Sequence, residues 1–247
     1  MSSPILALHG WLGRGADWAS VRALLPEAAT VLAPGLPGHG PAPAPAGAFT
    51  MDGAADFALD ALDAAGAERA VVAGYSMGGR VALHLALRHP GRVAGLVLIS
   101  ALPGLRTAAE REQRRALDAE RARRLLADPG AFLSEWYAAR LFDPIDTPSR
   151  AALVADRLAH ARPDGWARAL VGLSVGAQPW HGDRLREIRT PVAVLAGAED
   201  AKFSSIARAM AGASGFACTL APRAGHALLA ERPDVVAEEI QRLSDPA

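Results

Sequence analysis

Ser76 stands in the run Gly74-Tyr75-Ser76-Met77-Gly78-Gly79-Arg80, a G-x-S-x-G pattern with an arginine one helical turn after the serine. The aliphatic stretch VVAG precedes it and GGRVALHLAL follows it, so the pattern falls where a strand turns sharply into a helix and presents a serine side chain. A serine hydroxyl does little chemistry until a base takes its proton and a third group holds that base in place. Two later loops offer such groups. Ala198-Glu199-Asp200 follows the strand-like VAVLAG, and Pro222-Arg223-Ala224-Gly225-His226 follows ACTLA. Serine, acid and histidine thus come in one chain order, each at the C-terminal end of a strand-like run. Asp200 fits the acid position better than Glu199, and the sequence leaves the choice open. Ser76, Asp200 and His226 are the candidate catalytic residues.

The other histidines carry less. His9 reads as orienting the loop after the first strand, and His39, in PGHG, as structural. Nothing singles out His84, His89, His160 or His181. Arg80 raises a separate question, because a fixed cation beside the serine suits an acidic ligand. Arginine is also this chain's ordinary cation: the basic residues are 25 arginines and one lysine, Lys202. Arg114 can pair with Glu110 at i,i+4 on an exposed helix. Arg111, Arg115 and Arg124 fit a solvated face better still. Lys202 stands out as the single lysine, two residues after Asp200.

These residues need a scaffold. Short aliphatic runs alternate with helical stretches, the pattern of a parallel sheet covered on both faces. Strands are expected at Ile5–Leu8, Val31–Ala33, Ala70–Ala73, Val93–Ile99, Val192–Ala196 and Ala217–Leu220. Helices are expected at Trp18–Leu25, Met51–Ala65, Gly78–Arg88, Ser204–Ala211 and Pro233–Leu243. From 103 to 185 the strand signal disappears, and helices are expected at Thr107–Leu126, Gly130–Leu141 and Thr147–His160. That division predicts an α/β core over 1–102 and 186–247 with an inserted helical cap over 103–185. The segment Pro34–Pro45 reads as a semi-rigid, proline-rich loop.

With 247 residues the chain has length for one substantial domain, and its formal net charge of zero argues against nucleic acid or a membrane surface as partner. No apolar run is long enough to span a bilayer. The single cysteine, Cys218, excludes an internal disulfide and a thiolate zinc cluster. The start, MSSPILALHGW, lacks the basic n-region of a signal peptide, so a cytoplasmic location is expected. Oligomeric state is left open.

The strand order, the serine turn and the acid and histidine loops resemble the α/β-hydrolase superfamily over nearly the whole chain. The segments GYSMGGRVA, PGL before an arginine-rich helix, SEWY, LSVGAQP, AGAEDAKF and PRAGH together resemble the 2-succinyl-6-hydroxy-2,4-cyclohexadiene-1-carboxylate (SHCHC) synthases of menaquinone biosynthesis. The resemblance implies a mostly parallel sheet without the superfamily's first two strands, since the chain begins four residues before its first strand run. It implies a lyase that needs no cofactor or metal and eliminates pyruvate from a small polycarboxylate. His9-Gly10-Trp11 resembles the superfamily's oxyanion-hole segment, so Trp11 and Met77 would supply two backbone N–H groups. Arg80, Arg114 and Arg157 fall at the family's substrate-binding arginine positions, with Tyr75 and Trp136 beside them, and Lys202 joins them. Arg106 stands where the family commonly has glutamine, which would turn a neutral contact into a charged one. Gly35 replaces the usual acidic residue before LPGHG. Two other readings fit the residues: a serine hydrolase acting on an ester, thioester or carbon–carbon bond of an acidic molecule, and a non-catalytic ligand receptor.

Overall fold

Six aliphatic runs pair edge to edge in a computed structural model that describes residues 3–40 and 44–244. They are β1 (Ile5–Leu8), β2 (Val31–Leu32), β3 (Ala70–Tyr75), β4 (Val93–Ile99), β5 (Val192–Gly197) and β6 (Ala217–Ala221). Every pairing is parallel, and the strands lie in the order β2-β1-β3-β4-β5-β6. Parallel neighbours need crossover connections, which here are largely helical. Successive side chains point to opposite faces. Leu6, Leu8, Val72, Leu96, Leu98 and Val194 enter one buried cluster, while Ile5, Ala7, Val71, Val97, Ile99 and Leu195 enter the other. Burial of both rows explains why these strands read as continuous apolar runs rather than as alternating ones.

The helices are α1 (Ala19–Arg22), α2 (Met51–Ala64), α3 (Met77–Arg88), α4 (Ala108–Ala127), α5 (Pro129–Tyr137), α6 (Thr147–Ala159), α7 (Pro163–Gly172), α8 (Ala201–Ser214), α9 (Leu228–Glu231) and α10 (Pro233–Ser244). Residues of α2, α3 and α8 pack on the first face of the sheet, and those of α1, α9 and α10 on the second. On α10, Val236 and Ile240 are fully buried; each such side chain contributes about 1.5–3 kcal/mol of transfer free energy.

Between β4 and β5 the chain forms α4 to α7 and no strand. Their starts are written locally. Thr107 and Glu110 close a capping box on α4, Asp128 caps α5 ahead of Pro129, and Asp146 caps α6. These helices share a third apolar cluster built on Leu125, Phe132, Leu133, Tyr137, Phe142 and Trp166, and it rests on Leu12 and Ala227 from the loops after β1 and β6.

The structure departs from the sequence reading in places. The helix expected over Gly130–Leu141 stops at Tyr137, and Arg140–Phe142 forms a separate 3-10 turn. Helix α7 was not expected, because Pro163 and Gly165 look like turn residues; Pro163 instead opens the helix at its first position. Helix α8 begins at Ala201 rather than Ser204, capped by Asp200. Part of the proline-rich loop, residues 41–43, lies outside the described residues. Among the described residues no helix is long and apolar enough to cross a membrane.

Candidate active site

Strand β3 ends at Tyr75 and α3 begins at Met77, leaving Ser76 in the turn between them at φ 52° and ψ −107°. A non-glycine residue at positive φ costs on the order of 1–3 kcal/mol and persists only when its surroundings enforce it. Here the Ser76 N–H donates to the Ile99 carbonyl at 2.8 Å. The flanking glycines let the backbones approach. A Cβ at Gly78 would lie 2.2 Å from the Leu8 carbonyl oxygen, and one at Gly74 would lie 2.4 Å from that of Gly78. The G-x-S-x-G spacing is therefore a packing requirement that lifts the serine clear of the sheet.

His226 arrives from the loop after β6. Its Nε2 is 3.2 Å from Ser76 Oγ, and its Nδ1 is 2.9 Å from Asp200 Oδ2. Asp200 also accepts the Phe203 N–H at 3.0 Å, as the cap of α8. Burial raises the Asp200 pKa, but hydrogen bonds from His226 and Phe203, with the charge of Lys202, more than offset it and hold the carboxyl below its usual range. The neighbouring Glu199 is exposed and only its backbone N–H is engaged, donating to the Ala224 carbonyl. The acid left open by the sequence is thus Asp200 in the geometry. With its Nδ1–H fixed on Asp200, His226 Nε2 can draw the proton from Ser76.

Met77 is the first residue of α3, so its N–H has no acceptor within the helix and sits at the positive end of the helix dipole. The loop after β1 passes close by: a Cβ at Gly10 would come within 3.6 Å of the Ser76 Cβ. Trp11 lines the same cavity as Met77, and its indole N–H donates to the Trp166 carbonyl at 2.9 Å. His9 and His39 brace this loop. His9 Nδ1 bonds the Gly10 carbonyl while its Nε2 accepts the Leu36 N–H. His39 Nδ1 bonds the Pro37 carbonyl while its Nε2 accepts the Leu12 N–H. Each ring is a donor on one side and an acceptor on the other, which requires the neutral imidazole. Burial, the largest cause, pulls His9 down to about 4 and His39 well below its ordinary value. Both are structural, as expected.

A cavity of ≈ 440 Å³ opens over Ser76 and His226, walled by the sheet loops below and α4 to α7 above. That volume suits a small organic molecule. Tyr75, Trp136 and Lys202 line it, as do Arg80, Arg114 and Arg157. Arg80 is buried, with Nη1 donating to the Leu173 carbonyl at 2.7 Å and to Gln178 Oε1 at 3.2 Å. Arg114 does not pair with Glu110, which is committed to Thr107 in the capping box; its Nε instead grips both oxygens of Asp118. Arg157 binds Asp17, Asp156 and the Tyr137 hydroxyl. Lys202 lies 5.5 Å above the Phe203 ring. Burial, then Arg114 and Arg121, lower its pKa while Asp200 raises it.

Arg106 is the exception among the expected contacts. It is exposed and does not line the cavity, because the Pro103–Leu105 run turns inward and Arg106 follows it out to the start of α4. Arg115 is less idle than expected, since it pairs with Glu112 and also donates to the Gly176 carbonyl at 2.9 Å. Arg124 pairs with Glu135, and Arg111 donates to the Leu105 and Arg106 carbonyls. Sequence reasoning missed three charged cavity residues: Asp17, Asp118 and Arg121. Asp118 stands four residues after Arg114 and three before Arg121, the helical spacing that could have marked it.

The description "alpha/beta hydrolase fold" matches residues 3–233. An SHCHC synthase of Serratia proteamaculans is 33% identical over 239 residues, covering 96% of this chain and 91% of the relative. The chloroplastic protein PHYLLO of Arabidopsis thaliana is 31% identical over 219 residues; the match covers 84% of this chain but only 13% of that much longer protein. Among solved structures, MenH from S. aureus superposes with a TM-score of 0.88 at 28% identity, covering 98% of this chain and 94% of that one.

Proposed function

Because the chain belongs to the alpha/beta hydrolase fold family and, within it, to the SHCHC synthases, we propose that it is a carbon–oxygen lyase. It would convert 2-succinyl-5-enolpyruvyl-6-hydroxy-3-cyclohexene-1-carboxylate into SHCHC and pyruvate. The observation that carries this reading is the charge of the cavity over Ser76: its walls hold Arg80, Arg114, Arg121, Arg157 and Lys202 against the carboxylates of Asp17 and Asp118. Five cations facing two anions leave an excess of three positive charges, and the substrate carries three carboxylates. Guanidinium forks can replace the water those carboxylates lose on entry.

The chemistry needs a base and a place for negative charge. His226, held by Asp200, takes the Ser76 proton as the serine oxygen takes the proton from the ring carbon that bears the succinyl group. The electrons left behind delocalise onto the succinyl ketone oxygen as an enolate, which the Trp11 and Met77 N–H groups face. They then re-form the bond to the neighbouring ring carbon, the ring double bond shifts by one position, and the carbon–oxygen bond to the enolpyruvyl group breaks. The released enolpyruvate takes up a proton and becomes pyruvate. No covalent link to Ser76 is required. The inserted segment 103–185 acts as the cap that closes the cavity and supplies Arg114, Trp136 and Arg157. A cytoplasmic location is part of the same reading, and Cys218, the single cysteine, leaves no intrachain disulfide to demand an oxidising compartment.

The same serine array could instead take an acyl group, so the test compares the two chemistries. Purified protein given the enolpyruvyl substrate should release pyruvate, followed with lactate dehydrogenase, far faster than it hydrolyses p-nitrophenyl acetate. The reverse ranking would replace the lyase with a serine hydrolase.

A further inference from the structure

Asp118 is a carboxylate with no exposed surface in the middle of α4, and three donors converge on it in four hydrogen bonds. Arg114 Nε reaches both oxygens at 2.9 and 2.8 Å, Arg121 Nη1 reaches Oδ1 at 3.2 Å, and the Ser174 hydroxyl donates to Oδ2 at 2.8 Å. One anion therefore serves two guanidinium groups. Asp118 takes the Nε edge of Arg114, which leaves both Nη groups of that fork without an acceptor among the described residues. Arg121 gives Asp118 a single Nη, and its remaining N–H groups likewise have no acceptor there. Both arginines line the cavity.

Two further contacts fix where Arg121 points. Its guanidinium carbon lies 5.4 Å over the Trp136 ring, and Trp136 in turn packs edge-on against Trp11 at 4.8 Å, beside the serine turn. A guanidinium held over an indole face is oriented before any ligand arrives. The field around it is repulsive. Lys202 is pulled down by burial and then by Arg114 and Arg121, and Arg80 by burial and then by Arg114. Arg157 is not part of this conflict, because Asp17 already meets its charge on two bonds. The cations crowded in the cavity are thus Arg80, which Asp118 offsets only in part, Lys202, which Asp200 offsets only in part, and the pair Arg114–Arg121 sharing one aspartate.

We propose that Arg121 is a substrate-binding and specificity-determining residue: with Arg114 it forms a double guanidinium fork on the cap wall, organised by Asp118 and Trp136, that takes one carboxylate of a tricarboxylate ligand. This rests on the reading of the cavity as a polycarboxylate site. A role confined to pairing with Asp118 would make Arg121 nearly dispensable, since Arg114 and Ser174 already reach both oxygens of that carboxylate.

The test uses Arg121→Gln and Arg121→Lys in the full chain, with two readouts that do not depend on each other. For the enolpyruvyl substrate, Arg121→Gln should raise KM about tenfold, the loss of one charge-assisted contact, with kcat within about twofold. Independently, calorimetric binding of propane-1,2,3-tricarboxylate should weaken about tenfold in Arg121→Gln and recover in part in Arg121→Lys, which keeps the charge without the fork. A wild-type protein that binds the tricarboxylate through Arg121 but releases no pyruvate would sink the lyase reading and leave this assignment standing. Tricarboxylate affinity that is absent in the wild type, or equal in wild type and Arg121→Gln, overturns the assignment whether or not pyruvate is released.

Discussion

The Arg157 guanidinium reaches from α6 to the turn Gly15–Trp18 and grips both carboxylate oxygens of Asp17, Nη1 to Oδ1 at 2.9 Å and Nη2 to Oδ2 at 2.7 Å. One residue earlier on α6, Asp156 meets Arg14 from the same stretch of core at 2.5 Å. Burial works against the Arg157 charge, but Tyr137 and Asp17 more than compensate and raise its pKa above that of a free guanidinium. This arginine therefore fastens α6 to the turn after β1, whatever it does for substrate.

Removing one partner of a buried pair leaves the other charge stranded. Arg157→Met should cost about 3 kcal/mol of stability, because Asp17 then has no cation on it. Asp17→Asn should cost less, since Asp156 still faces Arg157 at 2.8 Å. The double variant should be more stable than the two single losses add up to, and chemical denaturation of all four proteins measures that coupling. Strictly additive losses would show that the pair is not an energetic link.

Ser76→Ala, Asp200→Asn and His226→Ala should each lower kcat by roughly three orders of magnitude or more while the thermal midpoint stays near wild type. The three act as a unit, so a double variant should be little worse than the worst single one. Glu199→Gln should leave turnover within about twofold, as a surface change away from the chain of hydrogen bonds. A larger effect from Glu199 than from Asp200 would reverse the assignment of the acid.

Arg80 and Arg106 make a matched contrast, one buried in the cavity wall and one exposed outside it. Arg80→Ala should raise KM by about tenfold to a hundredfold, the range for one charge-assisted contact, and Arg80→Lys should restore only part. Arg106→Ala should leave KM and kcat near wild type in the same steady-state assay. Arg80→Ala should also lose stability, because Gln178 and the Leu173 carbonyl lose their donor.

Acid should loosen the protein through His9 and His39. Both are neutral in the fold with pKa values below the ordinary 6.5, His9 at about 4. The unfolded chain binds more protons between those limits, so stability is fully present above about pH 6.5 and falls as pH drops toward 4, at roughly 1.4 kcal/mol per pH unit for each histidine being titrated. Denaturation midpoints measured across that range should fall less steeply in His9→Gln. An identical slope would mean that the ring does not titrate on unfolding.

The sequence by itself determined the sheet and the hydrogen-bonded line of Ser76, His226 and Asp200. Both faces of β3, β4 and β5 are buried, so their residues had to be continuously apolar, and a run of Val, Leu and Ile between helices can be read directly. Gly74 and Gly78 are fixed by contacts a few residues away or across one strand, which makes the serine turn a local signal. His226 and Asp200 sit at strand ends, where position along the chain already implies position in space. Helix α7 escaped because Pro163 and Gly165 signal a turn when taken alone, and the partners that favour a helix there, Trp166 packed among cap side chains and Leu170 beside it, are distant in sequence. The arginines divide in the same way. Arg80 was legible because it follows Ser76 by one helical turn. By contrast, Arg106, Arg115, Arg121 and Arg157 are chemically alike, and only tertiary packing decided that Arg106 is exposed, Arg115 meets the Gly176 carbonyl, Arg121 lines the cavity and Arg157 clamps Asp17. Charge in a guanidinium is set by its type, but the anion that meets it, whether Asp17, Asp118 or a bound carboxylate, is set by tertiary geometry.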